Sequence, residues 1–211
     1  MKFSIFKKQK KIKGEIAYYR LEEWWLNTFS KNERNHIENV FHPLGTDSNN
    51  KPLTEGKIGH SSQNAAGLLS AVAGWFNKPN DRHIAKKIIE KANQLAEAGN
   101  DILDHHFALH QKIKIYYRER NSEPHALKEA IKACNDQIKI APKASRQFLK
   151  EYPNEALPYH VGYSQLAIIL KKQNKHESVI KLCQEAKKQG WADNWDKRIA
   201  NAQKKLLIEN F

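Results

Sequence analysis

The sequence predicts an all-α fold built from stacked helical hairpins, and three observations lead there. Apolar residues recur with the 3.6-residue period of a half-buried helix, as in Ile84, Ala85, Ile88, Ile89, Ala92, Leu95 and Ala96. The apolar–polar alternation that marks a strand is almost absent after residue 61. Residues 130–139 (AIKACNDQIK) and 179–188 (VIKLCQEAKK) match each other at an offset of 49, with Ile, Lys, Cys and the final Lys identical. Such a repeat is expected where a single unit cannot hide its own apolar face and must stack on a neighbour.

The chain's 211 residues, 40% hydrophobic and 28% charged, suffice for a substantial core and exclude a wholly disordered, collagen-like or disulfide-scaffold protein. Phe3, Ile5, Phe6 and Ile12 are scattered among lysines, so no unbroken apolar stretch signals secretion, and no run is long enough to span a bilayer. With two cysteines, Cys134 and Cys183, the expected setting is cytoplasmic and reducing, with no membrane partner. The net charge of +13 is uneven: six lysines precede the first acid, Glu15, and the remainder carries +7.

Residues 1–14 are expected to form a basic, flexible tail. Residues 15–42 read as a helical hairpin. Ile16, Leu21, Trp24 and Trp25 predict one helix over 16–27. Ser30 and Glu33 then form a capping box for a second helix carrying Ile37, Val40 and Phe41, which Pro43 stops. Residues 43–60, rich in Pro and Gly, read as a long loop, after which Ser61 or Ser62 caps the next helix. From 61 to 211 the pattern is helix, turn, helix. Leu127, Ala130, Ile131, Cys134 and Ile138 form one stripe. Ala144, Phe148, Leu149 and Tyr152 predict a short extra helix, and Trp195, Ile199, Ala202 and Leu206 a capping helix with Lys197, Arg198, Lys204 and Lys205 on its wet side. The matching positions of the two cysteines predict buried, apolar thiols.

Candidate chemistry is sparse. His106 and His110 lie four apart beside Asp104, a spacing that metal sites use, but Phe107 stands where the metalloprotease pattern needs glutamate. These side chains are expected on a polar helix surface or partly in the core, with no bound metal. No nucleophile elbow, phosphate loop or Cys-x-x-Cys is present, so neither an enzymatic activity nor a cofactor is expected. Lys7, Lys8, Lys10, Lys11 and Lys13 read either as a solvated arm or as an electrostatic hook for nucleic acid or anionic membrane, the nucleic-acid reading using the basic rim of the helical array as well.

The segment Tyr163, Leu166, Ala167, Leu170, Val179, Cys183 and Ala186, with Asn174 at the turn, resembles the tetratricopeptide repeat, a helix–turn–helix unit of 34 residues. Trp191 replaces its terminal proline. An earlier copy runs Leu69, Val72, Ala73, Phe76, Ala85, Ile89 and Ala92. A middle copy uses Ile113, Tyr117, Ala130, Cys134 and Pro142, with residues 121–124 as a turn insertion and Lys114 where a small residue belongs. The resemblance covers residues 61–191. It implies a right-handed α–α superhelix and a scaffold for a protein or peptide, held along a concave face lined by the first helix of each unit. Mapped that way, the groove contains Ser70, Gln111, Lys112, Ser164, Gln165, Lys171 and Lys172. Its positive rim suits an acidic partner segment.

Overall fold

The computed structural model describes residues 11–45 and 50–209. They are all-helical: no strand forms among them, and one isolated bridge joins Tyr159 to Ala192. The chain divides into two compact units at Ala65/Ala66.

The first unit contains helices α1 (Gly14–Tyr18), α2 (Glu22–Thr28) and α3 (Lys31–Val40). The single helix expected over 16–27 is broken, because Arg20 adopts a left-handed conformation (φ 57°). The break puts Ile16, Leu21, Trp25 and Phe29 into one core with Ile37, Phe41 and Leu53. The Ser30/Glu33 capping box forms as expected. The Ser30 N–H donates to the Glu33 carboxylate at 2.8 Å and the Glu33 N–H to the Ser30 hydroxyl at 3.2 Å.

The segment read as a featureless loop has a structural task. The backbone N–H groups of Lys13, Gly14, Glu15 and Ile16 donate to the carbonyls of Thr54, Gly56, Pro52 and Leu53, at 3.0, 3.3, 3.1 and 2.9 Å. A helix start leaves its first donors without intrahelical partners, and here another part of the backbone supplies them. The approach requires glycine at position 14: its φ is +58°, and a Cβ there would lie 2.5 Å from the Pro52 carbonyl oxygen. Glu38 is buried beside this turn and accepts from the Thr54 hydroxyl. Burial raises the Glu38 carboxyl above its ordinary pKa. Glu15 is raised by burial and by the charge of Glu38.

The second unit runs α4 (Ala65–Trp75), α5 (Arg82–Ala98), α6 (Ile102–Arg118), α7 (Ala126–Glu151), α8 (Val161–Lys172), α9 (His176–Gln189) and α10 (Trp195–Glu209), with a 3-10 turn at Pro79–Asp81. From α5 to α10 each helix packs on the next, and α6 also touches α8, so the helices form an array. Ser61 does not start α4: its hydroxyl accepts from the Gln63 N–H at 3.4 Å, and the helix begins at Ala65. All seven apolar positions of the first copy, from Leu69 to Ala92, are buried.

A second difference concerns residues 144–152, which are no separate helix. They continue α7 through Pro142, a residue that removes one backbone hydrogen bond and normally costs about 3 kcal/mol in a helix interior. The buried stripe Ala133, Cys134, Gln137, Ala141, Ala144, Ser145 and Phe148 passes the proline without interruption, and burial on both sides keeps the helix whole. The exposed side of Lys114 also explains its poor fit to the repeat, since the small contact residue on α6 is Ala108, packed with Ala66 and Ala96.

The α8–α9 turn places Asn174 at φ 56°, the left-handed position that asparagine tolerates. Helix α9 ends in a Schellman motif: Gly190 has φ 87°, its N–H donates to Lys187 O at 3.0 Å, and the Trp191 N–H donates to Ala186 O at 3.2 Å. Cys134 and Cys183 are both fully buried, in adjoining clusters that share Ile138, Leu170 and Leu182.

The Gly14 contact makes a direct test. Gly56 also has positive φ (+88°) but open space around it, so Gly56→Ala is expected to cost about 1–2 kcal/mol from backbone strain alone. Gly14→Ala adds a collision with Pro52 and Leu53, and is expected to cost roughly 3 kcal/mol or more. Hydrogen exchange at the Glu15 and Ile16 amides measures both.

Candidate functional site

The far end of the array is positioned by one buried amide. The Gln137 side chain, 0% exposed on α7, donates to the His106 carbonyl of α6 at 2.9 Å and accepts from the Gly162 N–H of α8 at 2.7 Å. Gly162 permits this: a Cβ there would sit 2.8 Å from Gln137 Oε1 and 3.0 Å from the Cys134 carbonyl oxygen. His160 caps α8, its Nδ1 accepting from the Tyr163 N–H at 3.3 Å.

Around this joint lies an aromatic box. The His106 ring, 1% exposed, stacks on Trp191 (5.5 Å between centroids, 7° between planes) and meets Phe148 and His160 edge-on at 5.5 and 5.0 Å. His160 meets Trp191 edge-on at 4.6 Å. His106 is therefore a core residue. Among the described residues no group of three or more His, Cys, Asp or Glu is arranged to hold a metal. Burial, reinforced by His110 and His105, holds His106 down at about 4. Burial, with Lys114, holds His110 at about 4, and burial, with His106, holds His160 at about 3. Burial pushes the Cys134 thiol up to about 12 and the Cys183 thiol to about 11, which removes both as nucleophiles at neutral pH.

Most residues mapped to a concave groove do not line open surface. Ser164 is fully buried and donates to Asp193 Oδ2 at 2.7 Å. Gln111 is half-buried against Gly74, where a Cβ would meet its Nε2 at 2.9 Å. Lys112 pairs with Glu90 at 2.8 Å, and Tyr116 donates to the same carboxylate at 2.7 Å. Ser70 and Gln165 are half-buried, and the Ser70 Oγ and Gln165 Nε2 atoms are inaccessible. For Ser70 and Ser164 the reason is size: small residues on first helices let neighbouring helices approach, so they mark contacts between helices rather than a vacant trough. Lys172 is exposed and reaches the Tyr117 hydroxyl at 3.5 Å. Of the tail lysines, Lys11 and Lys13 are exposed, while Lys7, Lys8 and Lys10 lie outside the described residues.

Of the groove residues, Lys171 lines a cavity. A cleft of about 260 Å3 separates α8 from α10, with α9 at its base. Ala167, Val179 and Ala202 supply apolar surface beside the buried His176 ring, and Lys171, Lys197, Arg198, Asn194 and Asn201 complete the lining. Of the capping-helix residues expected on its wet side, Lys197 is exposed and Arg198 half-buried, and both line this cleft. Asp193 is the carboxylate in the lining, and it is fully engaged. It accepts from Ser164, from the Asn194 N–H at 2.7 Å, and from Arg198 Nε and Nη2 at 2.9 Å each. Burial alone would raise its pKa, but these hydrogen bonds outweigh burial and hold it below the usual carboxylate range. Neighbouring Asp196 pairs with Lys187 at 2.6 Å. The ammonium groups of Lys171 and Lys197 have no such partner among the described residues.

The chain matches no protein-family model, no curated protein and no solved structure. Sequence reasoning missed the cleft because it is made by the return of α10 across α9, and missed Asp193, which carries no motif. The Ser-Asp-Arg contact could have been sought from the charged turn at 193–198, but nothing local pairs it with Ser164.

Two outcomes follow from the buried joint. Gln137→Leu leaves the Gly162 N–H unpaired in the core and is expected to lower stability by about 1–3 kcal/mol in urea denaturation. Because folding depresses His106, His110 and His160 below the unfolded value, their contribution is complete above about pH 6.5 and declines as pH falls towards about 4. Denaturation curves at pH 7, 5.5 and 4.5 are expected to show that decline, and His106→Phe, which keeps the stacking on Trp191, is expected to flatten it.

Proposed function

We propose that this protein is a non-enzymatic scaffold that holds a segment of a partner protein at the cleft between α8, α9 and α10. The observation that carries the reading is the cleft itself: apolar surface and the buried His176 within a rim of amides and two ammonium groups that have no ion-pair partner among the described residues. Clefts of this make-up, mostly apolar with a few converging polar groups, are the usual form of a recognition site. The resemblance to tetratricopeptide repeats supports the same reading, since such arrays serve mainly as interaction platforms. The inertness of both thiols fits a binding role. No helix among the described residues is long and apolar enough to cross a membrane.

A competing reading, in which the lysine-rich tail binds nucleic acid, rests on the net charge of +13 and the six lysines ahead of Glu15. Partner capture from a native extract separates the two. Full-length protein is expected to retain a specific protein partner after nuclease treatment, and the Lys171→Glu/Lys197→Glu variant to retain about tenfold less. Removing residues 1–10 is expected to leave capture unchanged. Capture of nothing specific by the unaltered chain would end the scaffold reading, and loss of all binding with nuclease would transfer the role to the tail.

A further inference from the structure

We infer that the α8–α9–α10 cleft takes an internal acidic stretch of the partner, with two carboxylate side chains meeting Lys171 and Lys197 while a small aliphatic residue between them rests on Ala167, Val179 and Ala202. The inference builds on the scaffold reading and names the chemistry of what is held.

Charge is the first argument. The acids on and beside the cleft, Asp193 and Asp196, are neutralised by Arg198 and Lys187, so they offer nothing to Lys171 or Lys197. Two uncompensated cations in one lining, on a chain of net charge +13, disfavour a basic segment and favour a doubly negative one. The apolar surface is the second argument. Three aliphatic side chains in the same lining as the cations would gain little from a bare oxyanion, but they bury a methyl or isopropyl group. Asn194 Oδ1 already accepts from the Lys197 N–H at 3.2 Å, so the Asn194 amide donors and the Asn201 side chain suit the peptide backbone that joins the two acids. A volume of about 260 Å3 fits a few side chains and excludes a whole folded element. A chain terminus, with one carboxylate, would leave one of the two ammonium groups unpaired.

Nuclear magnetic resonance titration of the full-length protein tests this with acetyl-Glu-Ala-Glu-amide, its Gln-Ala-Gln counterpart, the Glu-Gly-Glu analogue and inorganic phosphate. The acidic peptide is expected to give saturable shifts at Lys171, Asn194, Lys197 and Asn201. The glycine analogue should bind more weakly, and the neutral peptide and phosphate weaker still. Lys171→Ala and Lys197→Ala are each expected to lower affinity about fivefold, the scale of a partly exposed charge pair, and 0.3 M salt to weaken binding further. Both side chains are exposed, so unchanged thermal midpoints confirm that the variants fold. Absence of shifts at the cleft, equal binding of the neutral peptide, or phosphate binding as tightly as the acidic peptide would overturn the inference. Should the chain capture a specific partner that the doubly reversed variant holds equally well, the scaffold stands and the cleft is not its site. Should the peptide saturate the cleft while no protein is captured, the chemistry stands and the scaffold reading falls.

Discussion

The side-chain amide of Gln137 joins three helices at a place where water has no access. Its two halves satisfy a carbonyl on α6 and the first-turn N–H of α8, so the register of both helices against α7 is set by one residue. A buried amide left half-paired would cost more than an apolar residue in its place, which makes such a joint specific to one arrangement. The aromatic box beside it depends on that arrangement. Trp191 stacks on the His106 ring, and the carbonyl of that same residue accepts from Gln137.

From the joint outward, the second unit propagates by repetition. Cys134 and Cys183 occupy corresponding places in adjoining clusters, each on the second helix of a pair and each facing its first helix. The clusters share Ile138, Leu170 and Leu182, so the apolar interior is continuous from one pair to the next. Irregularity enters at α7, whose extension past Pro142 carries Phe148 to the box. The chain breaks a local helix rule there and recovers the cost through tertiary contact.

What could be read from the sequence was local. The capping box, the turn at Asn174 and the buried stripes depend on residues a few positions apart, and periodicity and turn chemistry report them; the burial of both cysteines is read from a match at an offset of 49. Features that pair distant segments stayed hidden. Arg20 in a left-handed conformation, the carbonyls of residues 52–56 serving α1, and the Ser164–Asp193–Arg198 contact leave no periodic trace. The small residues were legible as small but not as to purpose, because a glycine or serine suits an open surface and a tight helix crossing equally. Their tertiary neighbours decide between the two.

The engagement of Asp193 has a kinetic meaning. Held by a hydroxyl, a backbone amide and a guanidinium that itself lies 5.9 Å from the Trp195 ring centre, this wall is ordered before any visitor arrives. For the acidic segment proposed above, nothing on that side would have to rearrange, so the entropy lost on association would fall on the incoming chain and on two lysine side chains. Under that proposal, encounter would be governed by long-range attraction, and residence time by how well the segment's aliphatic group seats.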